Sequence, residues 1–516
     1  MSFITQGKNH RKFLLIIIIL TIIIVGITSS CQYWRSKVKT KRGPNYNLLI
    51  IVSDSLRADS LSCYGGEANT PNICGLAKKG VLFENAYSNA SWTIPSSLSI
   101  FTGNYSNIYG NPWTALDFYI ENKNKIGKHI PNLPPEELIK LPNLFRKIND
   151  NELLLAEALR NNGYGTKYKM NFSSLDFVNC CNQLQGLEEL KNYKNLTEEE
   201  INFVENTTNI KNIGSEYEEI YSTLDYLLNI KEKNFFSLVW ILDPHFPYSP
   251  PEKFKKNINV DFSKLSMNPE FYSSLSFSQS EIETLPNFTD YDVYYLKQLY
   301  LKEVESLDER MGYILKALEY NGLENNTFIV FTSDHGEGFG ERGRFSFGHG
   351  NTGYNEMIHV PLIISGPNIV KGEIIKDNVS HIDLMPTLKD LMGVDCLYDV
   401  NGKSYKSLLV NEKDSFKQGV QYMEEGFSRA LIENNYKLII NYDNSVELYD
   451  LFEDPKELND ISKNNQDIVK NMKKKLSQLR KEELIKIIKD LPGIQDKGRF
   501  IYGLLRWIKE FGINQL

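Results

Sequence analysis

A surplus of charge of one sign is missing from this 516-residue chain: 58 basic and 65 acidic residues leave a net charge of −7. That is too small for the basic surfaces that bind nucleic acid, so no nucleic-acid partner is expected. Patterned cysteine is missing as well. Cys31, Cys63, Cys74, Cys180, Cys181 and Cys396 match no zinc knuckle, and the adjacent Cys180 and Cys181 do not read as a disulfide framework. They are expected to be structural or incidental. Long hydrophobic runs are absent but for one. What is present is ordinary globular material, 41% hydrophobic and 24% charged, long enough to bury a large core in more than one unit.

The one apolar run is Phe13 to Ile27, broken only by Thr21 and Gly26 and preceded by Lys8, Arg11 and Lys12. At ~1.5 Å per residue it reaches ~22 Å, short of a ~30 Å hydrocarbon core, and Thr28 to Ser30 bring it nearer. Three readings stand: a cleaved signal peptide, a lipoprotein signal ending at Cys31, or an uncleaved signal anchor. Arg35, Lys37, Lys39, Lys41 and Arg42 follow the run, so basic residues flank both sides and do not fix its orientation. A buried core helix fits poorly, because nearly every face is aliphatic. Residues 1–44 are therefore expected to attach the chain to a membrane, with the following domain extracytoplasmic.

Past Gly43 and Pro44, continuous aliphatic runs predict strands at Leu48–Val52, Phe235–Leu242, Phe328–Thr332 and Val360–Ile364. Helical stretches lie between them at Leu153–Asn161, Glu216–Ile230 and Tyr295–Tyr320. This alternation predicts a three-layer α/β/α sandwich with a mostly parallel central sheet over residues 45–400. Shorter pieces, Tyr436–Ile440 and Val446–Tyr449, predict a small antiparallel subdomain over 401–463. Residues 464–516 read as a Lys-rich helical tail. Its Phe500–Phe511 stretch is amphipathic and suits packing on its own domain better than a membrane surface.

Three of the predicted strands end in chemistry: the first in Asp54, the second in Asp243-Pro-His245, the third in Asp334-His335. Open α/β sheets bind ligands at the carboxyl ends of their strands. One such Asp would be an ordinary helix cap, but acidic residues and histidines after three strands point to a metal site.

The surrounding segments carry a resemblance. "NLLIIVSDSLRADSLSCYG" and "TPNICGLAKKGVLFENAYSNASWTIPSSLSIFTG" are followed in order by "LDPHFPYSPP", "FTSDHGEGFGERG", "FGHGNTGYNEMIHVPLIISGP", "VSHIDLMPTLKDLMG" and "VELYDLFEDPKELND". Together, from about Asn47 to Asp460, they resemble the sulfatase family of the alkaline phosphatase superfamily. The resemblance implies a divalent metal held by Asp54, Asp334, His335 and the Thr93 oxygen, with Thr93 as nucleophile. It implies that His245 and His349 contact the substrate anion or assist the leaving group, or help to bind a second metal. His359 and His381 read as structural. Such a cation would neutralise the anionic ester and activate the hydroxyl for attack, giving a covalent intermediate that water cleaves. Thr93 would also serve as the cap of a helix beginning after Pro95, a role compatible with attack.

The sequence departs from the family where Cys or Ser, followed by x-Pro-Ser-Arg, is converted to formylglycine. Here stand Thr93-Ile94-Pro95-Ser96-Ser97, and oxidation of Thr would give a ketone, so no formylglycine is expected. The first turn keeps a single carboxylate, in Asp54-Ser55, and Lys169 is the nearest candidate for the family's Gly-Lys-x-His segment. Two carboxylates, an imidazole and a hydroxyl favour zinc or manganese, with calcium and magnesium as alternatives. The expected function is a metal-dependent hydrolase or transferase of sulfate or phosphate esters, leaning to phosphoesters. A lipid headgroup, a cell-wall polymer or a glycan would supply the anionic substrate, in a pocket shaped by residues 111–150 and 250–290. A sulfuric ester hydrolase working without formylglycine, and a catalytically silent binding protein on the same fold, are the alternatives.

Overall fold

Strand β1 (Asn47–Ser53) is buried along its whole length. Its side chains alternate between two cores, Leu49 and Ile51 in one and Leu48, Ile50 and Val52 in the other. A strand apolar on both faces must be covered on both, and this dictates a layered sheet. The structure is a computed structural model describing residues 45–106, 148, 154–170, 184–190, 193–208, 218–231, 234–274, 288–342, 347–350, 352–395, 400–410, 416, 419–424, 428–441 and 444–490.

The further strands are β2 (Gly80–Tyr87), β3 (Gly165–Met170), β4 (Glu188–Glu189), β5 (Phe235–Ile241) and β6 (Thr327–Ser333). A short hairpin, β7 (Gly338–Phe339) and β8 (Phe347–Gly348), precedes β9 (His359–Ser365), β10 (Glu373–Ile375) and β11 (Val379–Ser380). The main sheet runs β10-β2-β9-β6-β1-β5-β3-β4, with β11 beside β2. Only β9 is antiparallel to its neighbours among these pairings; the others are parallel. The predicted α/β class and mostly parallel sheet are what is found.

Helices α1 (Pro71–Lys79), α2 (Thr93–Thr102), α3 (Leu155–Asn161), α4 (Glu218–Leu228), α5 (Asp290–Tyr320) and α6 (His381–Met392) cover the sheet. Ile73 of α1, Leu224 of α4 and Leu299 and Leu307 of α5 fill the core on one face. Ile100 of α2, Leu159 of α3 and Leu384 and Leu388 of α6 fill the other. Helix α5 starts earlier than its apolar period predicts, because Thr289 and Asp292 form a capping box ahead of it.

Strands β12 (Gln421–Glu424), β13 (Ser428–Glu433), β14 (Tyr436–Asn441) and β15 (Val446–Asp450) form a separate antiparallel sheet. One face meets Tyr354, Met357 and Ile358 of the large domain through Met423, Ala430 and Ile439. The other is covered by α7 (Gln466–Asp490), whose Val469, Met472 and Leu476 pack on Leu431, Leu438 and Leu448.

One expectation is corrected. Cys63 and Cys74 form a disulfide, although the spacing suggested none. The turn Ser62–Tyr64 and α1 double back on each other, which brings residues 11 apart in sequence together. No helix of the described residues is long and apolar enough to cross a membrane. The Phe13–Ile27 run, the Phe500–Phe511 stretch, most of 111–150 and Cys31, Cys180, Cys181 and Cys396 lie outside the described residues.

Candidate active site

The site is set by the register of the three central strands. Ser53 at the end of β1 pairs with Ile241 of β5 on one side and Ser333 of β6 on the other. The next residues, Asp54 and Asp334, therefore leave the sheet side by side. Their backbone N–H groups donate to Ile241 O at 2.9 Å and Ser53 O at 3.2 Å, so both carboxylates rise from fixed backbone. Ser55 is held at φ 59°, a left-handed conformation rare for a residue with a side chain. There its N–H donates to Asp334 Oδ1 at 3.1 Å, joining the two turns.

Asp54, Asp334 and His335 are fully buried, and one donor atom from each lies within 4.8 Å of the others. His335 Nε2 is 3.3 Å from Asp334 Oδ2 and 3.7 Å from Asp54 Oδ1. The Thr93 hydroxyl comes in at 3.3 Å from the same nitrogen. His335 Nδ1 lies 2.8 Å from the Gly336 carbonyl, which fixes the ring with Nε2 toward the carboxylates. Asp54 takes further donors from Ser55 Oγ at 3.1 Å and Trp240 Nε1 at 3.3 Å.

These groups oppose one another electrostatically. Burial raises the Asp54 carboxyl above its ordinary range. Burial, and then the charge of Asp54, hold Asp334 well above its own. His335 is pushed well below the usual imidazole value by burial and then by His349. Asp334 Oδ2 is buried and meets no donor in hydrogen-bonding geometry. Two close carboxylates, a neutral imidazole and an unsatisfied buried oxygen form a donor set that a divalent cation would satisfy.

Thr93 is the first residue of α2, a helix buried on nearly every residue. Here the capping expectation is corrected: α2 begins at Thr93, not after Pro95, and its cap is Trp92 with no side-chain bond. The Thr93 hydroxyl is turned to His335 instead, while the helix N-terminus favours a bound anion. Ser97, where the family has Arg, donates to the Ile94 carbonyl at 2.9 Å.

The two other histidines complete the cluster. The His349 ring is centred 4.4 Å from His335 and 5.0 Å from His245. The loop carrying His245 is braced by α5: Arg310 pairs with Asp243 at 2.8 Å, and Glu303 accepts from Ser249 N–H at 2.5 Å. The remaining candidates lie elsewhere. His381 is buried between Ser96 and Thr332, and His359 Nε2 lies 2.8 Å from the Glu84 carbonyl. Lys169 pairs with Glu189 at 3.5 Å.

Sequence reasoning passed over Glu337 and Arg57. Arg57 ties the two turns together, donating to the Glu337 carbonyl at 3.1 Å and pairing with Asp59 and Glu341. Glu337 lies within the segment "FTSDHGEGFGERG", two residues past His335.

A profile of the sulfatase family matches residues 46–394, spanning β1 through α6 and every residue of the cluster. The chain belongs to the sulfatase family. A second profile, the C-terminal region of N-sulphoglucosamine sulphohydrolase, matches residues 343–482. Among sulfatase relatives, an arylsulfatase of Clostridium perfringens is 26% identical over 490 residues, covering 87% of this chain and 95% of that one. An N-acetylglucosamine-6-O-sulfatase of Bacteroides thetaiotaomicron is 24% identical over 488 residues, covering 82% and 83%. The crystal structure of a phosphonate monoester hydrolase of Agrobacterium radiobacter matches with TM-score 0.61 at 18% identity, over 85% of this chain and 96% of that one. At that identity the likeness is one of fold. Sulfatase-family membership makes the chain an ester hydrolase.

Proposed function

We propose that this sulfatase-family member is a metal-dependent hydrolase or group transferase of anionic esters, with Thr93 as its nucleophile. The observation that carries the proposal is the Thr93 hydroxyl, 3.3 Å from His335 Nε2 beside two buried carboxylates. Asp54, Asp334, His335 and Thr93 would hold the cation, and zinc or manganese suits this mixed set of nitrogen and oxygen donors. Such an ion supplies charge neutralisation of the ester and lowers the pKa of a neighbouring hydroxyl.

Thr93 gives up its proton to solvent, and its Oγ1 bonds to phosphorus or sulfur as the bond to the leaving oxygen breaks. His245 or His349 supplies the proton that the leaving oxygen takes. Water then attacks the same centre and returns a proton to that imidazole as the bond to Thr93 Oγ1 breaks, and Oγ1 takes its own proton back from solvent. With a sugar or glycerol hydroxyl in place of water, the same step is a transfer. The N-terminus of α2 directs N–H groups at the anion.

Phosphoesters are the favoured substrates, because an unmodified threonine suits an in-line displacement and cannot become an aldehyde. The second reading is a sulfate-ester hydrolase using the same unmodified Thr93, favoured by the family profile and by the sulfatase relatives. Those relatives also make a glycan ester the first substrate class to try.

Nitrophenyl phosphate, bis-nitrophenyl phosphate and nitrophenyl sulfate, assayed side by side, decide between the two. Turnover of the sulfate alone would overturn the phosphoester preference. No turnover of any of them by metal-loaded protein would favour a silent binding protein. Thr93→Ala should lower turnover by at least ~10³-fold with an unchanged thermal melt, and Thr93→Ser should retain most of it. Equal activity in Thr93→Ala and wild type removes Thr93 from the role.

We also propose that the domain lies outside the cytoplasm, tethered by residues 1–44. The Cys63–Cys74 bridge supports that placement, since such bonds persist in oxidising compartments. Deleting residues 1–44 should move the protein from the membrane to the soluble fraction. Unchanged fractionation would refute the tether.

A further inference from the structure

Glu337 is fully buried, two residues beyond His335 and immediately before the hairpin of β7 and β8. Gly338 pairs with Gly348 across that hairpin, so the chain that leaves Glu337 returns to it with His349. Gly348 is held at φ 73°, a turn open to glycine, which carries the ring of His349 back over the carboxylate. Glu337 Oε1 lies 3.2 Å from His349 Nδ1. The Tyr248 phenol faces the same carboxylate, which after burial opposes its ionisation by charge and by a hydrogen bond. A carboxylate buried this deeply and set against an imidazole of the cluster is a costly thing to keep for hairpin closure alone.

We propose that Glu337 is a positioning residue that acts through His349. This rests on the reading above, in which an imidazole of the cluster serves the leaving group. A carboxylate is an acceptor only, and so it takes the Nδ1–H whether the ring is neutral or protonated. The proton that His349 gives to a leaving oxygen, or recovers from water, is then carried on Nε2. The ring cannot flip without breaking the bond to Glu337, and it stays over the cluster, 4.4 Å from His335 and 5.0 Å from His245. Between the two histidines, this assigns the proton transfer to His349 and leaves His245 to the substrate anion. The His245 Nδ1 lies 2.5 Å from the Phe246 carbonyl, a neutral acceptor that stabilises an imidazolium less than a carboxylate does.

The test is a leaving-group series. Aryl phosphodiesters and aryl sulfates running from 4-nitrophenol to unsubstituted phenol are assayed with wild type, Glu337→Gln, Glu337→Asp and His349→Ala. Help with a proton matters little for nitrophenol and greatly for phenol. Glu337→Gln should therefore lose about 3-fold in kcat/KM on the nitrophenyl ester and about 100-fold on the phenyl ester. Glu337→Asp should fall between Gln and wild type, and bound metal, read by elemental analysis, should be unchanged in all. The double variant with His349→Ala should be no worse than His349→Ala alone, because one group works through the other.

An equal loss across the series, or loss of bound metal in Glu337→Gln, would make Glu337 a structural residue and overturn the proposal. A steep loss in a His245→Ala control with none in His349→Ala would overturn the assignment of the proton. Wild type inert toward every ester would overturn the activity proposed above, and this role with it. An active wild type with a flat loss in the variant overturns the role of Glu337 alone.

Discussion

At the scale of single residues, the cluster is built against its own stability. Asp54 and Asp334 are buried beside each other; burial raises both carboxyls, and the charge of Asp54 raises that of Asp334 further. A bound cation removes that opposition and should stabilise the folded chain by about 3–4 kcal/mol at 100 to 1,000 times its Kd. A chelator should accordingly lower the melting temperature by several degrees. Asp334→Asn should melt no lower than the chelated wild type, since it removes the repulsion, and should gain nothing from added zinc or manganese. A stabilisation by metal equal to that of wild type would take Asp334 out of the ligand set. Asp54, Thr93, Asp334 and His335 were legible in the sequence because each sits in a contiguous motif and three of them directly follow an aliphatic run. Glu337 was not, although it lies inside one of those motifs. Its relation to His349 depends on a two-residue pairing, Gly338 with Gly348, that leaves almost no hydrophobic pattern. The strain at Ser55 was equally silent, being a property of backbone rather than of side chain.

At the scale of elements, legibility followed burial. The four strands of the main sheet read from sequence, β1, β5, β6 and β9, stand together in its middle, covered on both faces, where an unbroken aliphatic run is obligatory. Strand β2 escaped because Glu84 and Asn85 interrupt it at the irregularity before Ala86, and β3 because Lys167 and Lys169 give it a polar look near the sheet edge. Helix α6 brings a titratable group beneath the site. His381, its first residue, is buried with Nδ1 3.3 Å from Ser96 Oγ and Nε2 3.4 Å from Thr332 Oγ1. Burial pushes this imidazole down to about 3. An unfolded histidine titrates near ~6.5, so between these values the unfolded chain binds the extra proton. The contribution is complete above the unfolded value and drains away as pH falls toward the folded one, by up to about 5 kcal/mol. His381→Gln should lose about 1–2 kcal/mol at neutral pH through its weakened hydrogen bonds. Its stability should then fall less steeply than that of wild type between pH 6.5 and 4. Urea unfolding at stepped pH checks this, and identical acid slopes would show that His381 is not the group responsible.

At the scale of the whole molecule, the two sheets are joined by buried charge as well as by apolar contact. Lys437 of β14 and Glu457, both inaccessible to solvent, pair at 2.7 Å. The same Lys437 donates to Asn355 Oδ1 at 2.9 Å, and Glu457 accepts from Asn355 N–H at 2.7 Å. Arg342, just beyond the Glu337 segment, pairs with Glu356 at 3.0 Å and donates to the carbonyls of Lys456 and Glu457. Strand β14 and the segment that follows β15 thus hold Arg342 and Asn355, which lie on either side of His349 in the chain. Burial lowers the Lys437 ammonium and raises the Glu457 carboxyl, and each is drawn part of the way back by its partner. The pair is therefore costly to break and cheap to replace. Lys437→Met should destabilise the protein by about 3–5 kcal/mol, because it strands a carboxylate away from water. Lys437→Met with Glu457→Leu should recover most of that loss, and a double-mutant cycle in urea gives the coupling directly. If the single variant costs no more than the double, the link is carried by the apolar contacts of Met423 and Ile439 with Tyr354 and Met357. Loss of the link should also reach the chemistry. In Lys437→Met Asn355 loses the bond to its side-chain oxygen and keeps only those to Glu457 and Pro455, so ester turnover should fall in the folded protein, below its melting temperature, before any global unfolding. Turnover that tracks the folded fraction alone would confine this buried pair to stability.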